Sequence, residues 1–130
     1  MINKFIINGA AITDIPSFYV EVNRVFMKNV DWQLGQSLDA FNDLLYGSFG
    51  AIDACIKNEI IWLDANQSKS ALGFQTTIAY YQNKLSPGSP FNKELFLEKI
   101  EELKAGHGKT YYEIIKEIIA EHPHIILKEK

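Results

Sequence analysis

The sequence has one long stretch without basic residues: no lysine or arginine lies between Lys28 and Lys57. Residues 31–64 hold six acidic residues against Lys57 alone, a formal charge of −5, so the rest of the chain must sum to +2 to give the total of −3. A concentrated negative patch attracts basic partners and repels nucleic acid. The charge pattern therefore argues against direct binding of DNA or RNA.

Cysteine and long apolar runs are also scarce. The single Cys55 cannot form an internal disulfide, and its alternating apolar surroundings predict a small buried side chain rather than a nucleophile. No apolar run is long enough to cross a bilayer, and the apolar start of the chain ends at Asn8 and Gly9, too early for a signal-peptide core. We therefore expect a cytoplasmic protein without a membrane partner. Its 130 residues suffice for a single domain spanning residues 1–130.

Hydrophobic periodicity predicts strands that are separated by helices. The predicted strands cover residues 3–8, 59–64 and 124–128. The predicted helices cover residues 16–28, 68–84, 91–105 and 110–121, in addition to an acidic helix that begins after Ser37. The breaker cluster at residues 86–90 is predicted to be a loop within the domain. Because parallel strands need helical crossovers, this order predicts an α/β fold, a small three-stranded parallel sheet packed with helices.

The acidic helix is the most informative segment. Ser37 is predicted to cap it through its hydroxyl, and Gly47 to end it. At helical spacing its apolar arc consists of Leu38, Phe41, Leu44 and Leu45, and its polar arc consists of Asp39, Asn42, Asp43 and Tyr46. The two aspartates lie four residues apart and repel each other by about 0.2–0.5 kcal/mol within the helix. By itself, such a pair is equally typical of a solvated helix face and of a surface that binds a basic partner.

Three other chemical interpretations are incomplete. Residues 106–110 end like a phosphate-binding loop, but Leu103 occupies the place of the first required glycine and the loop follows a helix. His122 and His124 have no third or fourth metal ligand nearby, and a histidine near a helix C-terminus interacts well with the helix dipole. The aspartate pair lacks further metal ligands and a nucleophile. We therefore expect no enzymatic activity, no metal and no cofactor.

Four short segments carry a family resemblance. They are residues 7–9 with Ile12, Gly35 with residues 38–40 and Asp43 up to Gly47, Trp62 with residues 67–69, and residues 125–127. The first segment resembles the first strand and turn of the barstar family, and the second resembles its inhibitory loop with the second helix. The third resembles the family's second strand with the segment after it, and the fourth resembles its last strand. Members of that family are small intracellular inhibitors of an extracellular bacterial ribonuclease. The resemblance covers the N-terminal half of the chain and its last strand.

The resemblance implies that the acidic helix blocks the active site of a ribonuclease. Asp39 and Asp43 would occupy the places of RNA phosphates, and Gly35 would allow a close backbone approach. Around them, the family pattern is altered at three positions. Gln33 replaces an aromatic contact residue, Asn42 replaces a tryptophan, and Tyr46 replaces a hydroxyl-bearing residue.

These changes predict a selective rim formed by Gln33, Asn42 and Tyr46, with Trp32 and Tyr46 as aromatic anchors for a different target. Residues 75–121 are longer than the family pattern and add an extra C-terminal helix that the resemblance does not explain. The expected function is a cytoplasmic inhibitor or immunity protein, monomeric when alone, for a basic ribonuclease or related nuclease toxin. The alternative is an adaptor of the same fold that binds a basic protein without nuclease activity.

Overall fold

Three parallel strands form the centre of the protein in the computed structural model, which describes residues 2–88 and 90–130. The strands are β1 (Ile2–Asn8), β2 (Lys57–Leu63) and β3 (Ile125–Glu129), and β2 lies between the other two. Phe5 pairs with Ile60, which in turn pairs with Leu127. The predicted α/β fold with a three-stranded parallel sheet packed with helices is confirmed. The predicted loop at residues 86–90 contains Ser89, which lies outside the described residues.

The described ranges contain six helices. They are α1 (Ile15–Phe26), α2 (Leu38–Leu45), α3 (Ala65–Ala71), α4 (Phe74–Asn83), α5 (Lys93–Lys104) and α6 (Tyr111–Ala120). A short 3₁₀ turn, Gly9–Ala11, follows β1. In residues 2–88 and 90–130, no helix combines the length and the apolar character that crossing a membrane requires.

The prediction of one helix over residues 68–84 is wrong, because two helices occupy this region. The first, α3, starts earlier than predicted and ends at Ala71, and α4 starts at Phe74. Gly73 between them has an extended backbone, with φ −87° and ψ −153°, and forms the N-cap of α4. The helical ladder is therefore interrupted at a glycine, the residue that favours the helical conformation least after proline.

The main core lies between the sheet and helices α1, α2 and α6. Trp62 of β2 is fully buried, with Phe18 of α1 stacked on it at 6.1 Å between ring centroids and Tyr112 of α6 edge-on at 5.2 Å. Phe41 of α2 contacts Phe18 edge-on at 5.4 Å. Burying such a side chain stabilises the fold by about 1.5–3 kcal/mol. This aromatic cluster fixes the buried face of α2 against the sheet.

Helices α4 and α5 form a hairpin with a small core of its own. Tyr81, Ile100 and Leu103 are buried together between these helices. The chain enters and leaves the hairpin at neighbouring points, because the amide of Tyr112 donates to the carbonyl of Leu72 over 3.2 Å. The hairpin is thus an outgrowth inserted between α3 and α6, in the region that the family resemblance does not explain.

Cys55 is exposed, so the prediction of a buried cysteine is wrong. Its amide donates to Oδ1 of Asp53 over 2.9 Å, which forms a tight turn. The strand β2 starts only at Lys57, two residues later. The alternating apolar pattern around Cys55 therefore belongs to a loop, where alternation does not imply burial.

Candidate functional site

Both ends of α2 are formed as predicted. Oγ of Ser37 accepts a hydrogen bond from the amide of Ala40 over 3.1 Å, which satisfies one of the free amides at the helix start. At the other end, Gly47 has a φ of +88°, the left-handed conformation that glycine adopts at low energetic cost. The sequence thus fixes the start and the end of α2 locally.

The two faces of α2 are in different environments. Phe41, Leu44 and Leu45 are fully buried against the core. Asp39 and Asp43 are exposed, and neither carboxylate forms an ion pair or a side-chain hydrogen bond with the residues that the structure describes. Two fixed negative charges therefore project from a helix that is anchored on its other side.

Some of the acidic residues in the range 31–64 lie outside α2 and already have partners within the chain. Glu59 is a buried residue on β2, and its carboxylate pairs with Lys128 of β3 over 3.5 Å. Asp53 uses its carboxylate in the turn before β2. Asp39 and Asp43, by contrast, lie on α2 and form no ion pair with the described residues.

The loop before α2 is tied to α1 through Asn23. Oδ1 of Asn23 accepts from the amide of Leu34 over 2.7 Å, and its Nδ2 donates to the carbonyl of Leu34 over 3.4 Å. Sequence reasoning missed Asn23, because nothing in the local pattern links an asparagine on α1 to a backbone group eleven residues later. The bonds hold the segment that leads directly into Gly35.

Gly35 is exposed, and a methyl group added to its Cα would meet no atom within 4 Å. Its φ also lies outside the left-handed region, unlike that of Gly47. The fold itself therefore does not require glycine here. An approach by another molecule would make a glycine useful at this point.

Trp32 and Gln33 lie beside α1 at the start of the same loop. The Trp32 ring is 47 % exposed and lies 5.0 Å from the ring of Phe49, so that the segments before and after α2 meet. With Val20 of α1, Trp32 and Gln33 line a cleft of about 590 Å³. The structure thus places the predicted anchor Trp32 on the α1 side of α2.

The start of α2 borders a second cleft, of about 560 Å³, between α2, the α4–α5 hairpin and α6. Leu38 and Tyr80 contribute apolar surface, and the charged lining is mixed, with carboxylates and the ammonium groups of Lys99 and Lys109. Burial raises the pKa of Tyr80, and the charge of Asp39 raises it further. The electrostatic effect indicates that Asp39 lies near the hairpin.

Asn42 and Tyr46, predicted as rim residues, both contact His122. Asn42 is half-buried, and its Oδ1 accepts a hydrogen bond from Nε2 of His122 over 2.7 Å. Tyr46 is 59 % exposed and packs edge-on against the His122 ring at 4.7 Å. Asn42 is therefore already engaged within the chain, whereas Tyr46 offers much of its ring to solvent.

The two histidines near β3 each form a hydrogen bond to α2, and their rings contact each other edge-on at 5.7 Å between centroids. Nε2 of His124 donates to the carbonyl of Leu45 over 2.7 Å, parallel to the bond between His122 and Asn42. Burial lowers the pKa of His122, as does the nearby His124, whereas Glu121 opposes this shift. In residues 2–88 and 90–130, no group of three or more histidine, cysteine or acidic side chains is placed to hold a metal ion.

Comparison of the chain with protein-family models, curated proteins and solved structures gives no match. The functional argument therefore rests on the geometry and the sequence. The described site presents two exposed carboxylates without an ion pair on a helix whose other face is buried, and the exposed Tyr46 follows that helix directly. Such an arrangement is suited to charge-assisted hydrogen bonds with lysine or arginine side chains of another protein.

Proposed function

We propose that this protein is an inhibitor or immunity protein of a ribonuclease or related nuclease toxin. In this proposal α2 enters the basic active-site cleft of the enzyme, where Asp39 and Asp43 take the places of RNA phosphates. The observation that carries the proposal is the exposure of both carboxylates without a neutralising base in the described residues. Because the opposite face of α2 is buried in the core, the charges are held in place before the partner arrives.

The chemistry of the target supports this choice. An enzyme that cleaves RNA must present lysine or arginine side chains to phosphates, so its cleft is complementary to a fixed pair of carboxylates. Such complementarity accelerates association and makes it sensitive to salt. The resemblance to the barstar family adds support, since its most specific residues are Gly35, Asp39 and Asp43. A cytoplasmic location would protect the producing cell from its own nuclease.

The residues around the carboxylates are proposed to select the target. Gly35 leaves room for a close approach of the partner's backbone, Tyr46 provides exposed aromatic surface directly after α2, and Trp32 provides it in the loop before α2. Gln33 is exposed next to Trp32. The changed rim favours a target that differs from the ribonuclease recognised by the barstar family.

The second candidate is an adaptor that binds a basic protein without nuclease activity. The inserted α4–α5 hairpin favours it, because this outgrowth borders the start of α2 and has no counterpart in the resemblance. Both candidates use Asp39 and Asp43. They differ only in what the bound protein does.

Inhibition of RNA cleavage tests the proposal. The purified chain is titrated into basic secreted bacterial ribonucleases, and the expected result is loss of cleavage at equimolar ratio, with slower association as salt increases. Proteins captured from the source cell at low salt and released at high salt are assayed for nuclease activity in parallel. A basic nuclease that the chain inhibits supports the proposal. A captured basic protein without nuclease activity, together with no inhibition, supports the adaptor.

A further inference from the structure

The C-terminal half of α2 is held from outside by the segment that precedes β3. We infer that His122 and His124 are positioning residues that set the orientation of this half of α2, and with it the direction of Asp43 and Tyr46. The inference rests on the proposed function, since it assigns to these histidines the task of presenting the inhibitory surface. It also assigns Asn42 to the support of that surface.

Two long-range hydrogen bonds define the arrangement. His122 reaches Asn42, 80 positions away in the chain, and His124 reaches the carbonyl of Leu45, 79 positions away, each over 2.7 Å. His122 is only 3 % exposed, so a lost bond at this place is not replaced freely by water. The two contacts lie three residues apart on α2, close to one helical turn, and together they restrict its rotation about the helix axis.

The short length of α2 explains why such support matters. Its eight residues are too few for a stable isolated helix, so tertiary contacts must hold it. The last carbonyls of a helix have no partner within the helix itself. Here the amide of Gly47 donates a hydrogen bond to the carbonyl of Leu44 over 3.1 Å, and Nε2 of His124 donates one to the carbonyl of Leu45. The last carbonyl of α2 is therefore satisfied by a side chain from outside the helix.

The contacts also lie next to the proposed binding residues. Asn42 immediately precedes Asp43, and Leu45 immediately precedes Tyr46. The Tyr46 ring rests edge-on against His122. The last turn also carries Leu44 and Leu45, which are buried in the core, so this packing and the two histidine bonds together set the direction of Asp43 and Tyr46.

Amide hydrogen exchange in the free protein tests the inference first. The amides of Tyr46 and Gly47, which bond to the carbonyls of Asp43 and Leu44, report on the last turn of α2. For His124→Leu we expect their exchange to accelerate by roughly three- to tenfold, the effect of one lost hydrogen bond. His124→Gln, whose amide can donate from a similar position, should restore most of the protection. Unchanged exchange in His124→Leu, or no rescue by His124→Gln, overturns the inference.

The same pair of substitutions at His122, His122→Leu and His122→Gln, provides a second test of the bond to Asn42. His107→Leu is the matched control, because His107 is exposed in the loop between α5 and α6. Exchange in α2 should not change in that variant. Should His122→Leu fail to fold, the half-buried His124 still decides the question.

Binding separates this inference from the proposed function. If the wild-type chain inhibits a basic ribonuclease, the leucine variants should dissociate from it roughly tenfold faster, and the glutamine variants nearly as slowly as the wild type. Equal dissociation rates would overturn the inference. If the wild-type chain inhibits no ribonuclease, the proposed function fails, and the exchange measurement alone decides whether the histidines position α2.

Discussion

The indole Nε1 of Trp62 donates a hydrogen bond to Oγ of Ser68 over 2.9 Å, inside the fully buried core. The Ser68 hydroxyl in turn donates a hydrogen bond to the carbonyl of Gly9 over 3.0 Å. One serine thus joins the 3₁₀ turn after β1, the strand β2 and the helix α3. These residues also belong to the segments that carry the family resemblance.

Removing this hydroxyl should weaken the fold. In Ser68→Ala, both the indole N–H and the Gly9 carbonyl lose a partner in a buried place, so we expect a loss of about 1–3 kcal/mol in the free energy of unfolding. Urea denaturation followed by tryptophan fluorescence measures it. Ser70→Ala, an exposed position on the same helix, is the control and should change stability by less than about 0.5 kcal/mol. Equal effects of the two substitutions would contradict this account of the core.

Two glycine substitutions should separate folding from binding. An added side chain at Gly9 would lie 2.2 Å from the carbonyl oxygen of Leu63, so Gly9→Ala should cost about 3 kcal/mol or more, measured by thermal or urea unfolding. Gly35→Ala meets no atom within 4 Å and should leave unfolding unchanged. In the proposed complex, however, Gly35→Ala should weaken inhibition. A destabilised Gly35→Ala, or one that inhibits like the wild type, would contradict the role given to Gly35.

Stability should depend on the protonation of His122. Burial lowers the pKa of His122 in the folded state, so the unfolded chain binds more protons once the pH falls below the ordinary value of about 6.5. The contribution of His122 is therefore fully present above about pH 6.5 and decreases as the pH falls toward the lowered folded pKa. Urea unfolding between pH 7.5 and 5 measures the slope.

Because acidic residues also titrate near the lower end of this range, the variant His122→Gln provides the comparison. Its free energy of unfolding should fall less steeply with decreasing pH than that of the wild type. The same substitution at the exposed His107 should leave the slope unchanged. Parallel pH profiles for the wild type and His122→Gln would show that His122 does not carry this dependence.

The sequence predicted those features of α2 that are encoded locally. A serine before the helix, a glycine after it and the spacing of its apolar residues suffice to place its ends and its buried face. The parallel sheet was also predictable, because short apolar strands separated by helices leave few other arrangements. The split between α3 and α4 at Gly73 was missed, because a glycine within a helical pattern is often tolerated.

The features that the sequence did not reveal depend on distant partners. Nothing near Asn42 indicates that it contacts His122, 80 positions further on, because the two residues meet only in the packed fold. The apolar alternation around Cys55 lies in a loop, so it does not indicate burial, and the side chain is exposed. The anchoring of Leu34 by Asn23 likewise depends on the packed fold. Local patterns thus predicted the surface of the candidate site, and tertiary contacts determine how that surface is held.

The double variant Asp39→Ala/Asp43→Ala tests the central claim most directly. Its matched control is Glu98→Ala/Glu101→Ala, which removes two exposed charges from α5 and leaves α2 intact. Both proteins should fold like the wild type, with the repulsion between the aspartates, about 0.2–0.5 kcal/mol, relieved in the first. In a ribonuclease inhibition assay with a target that the wild-type chain inhibits, the account predicts that the aspartate variant loses inhibition and the control keeps it. Inhibition by a folded aspartate variant at the wild-type level would contradict the account.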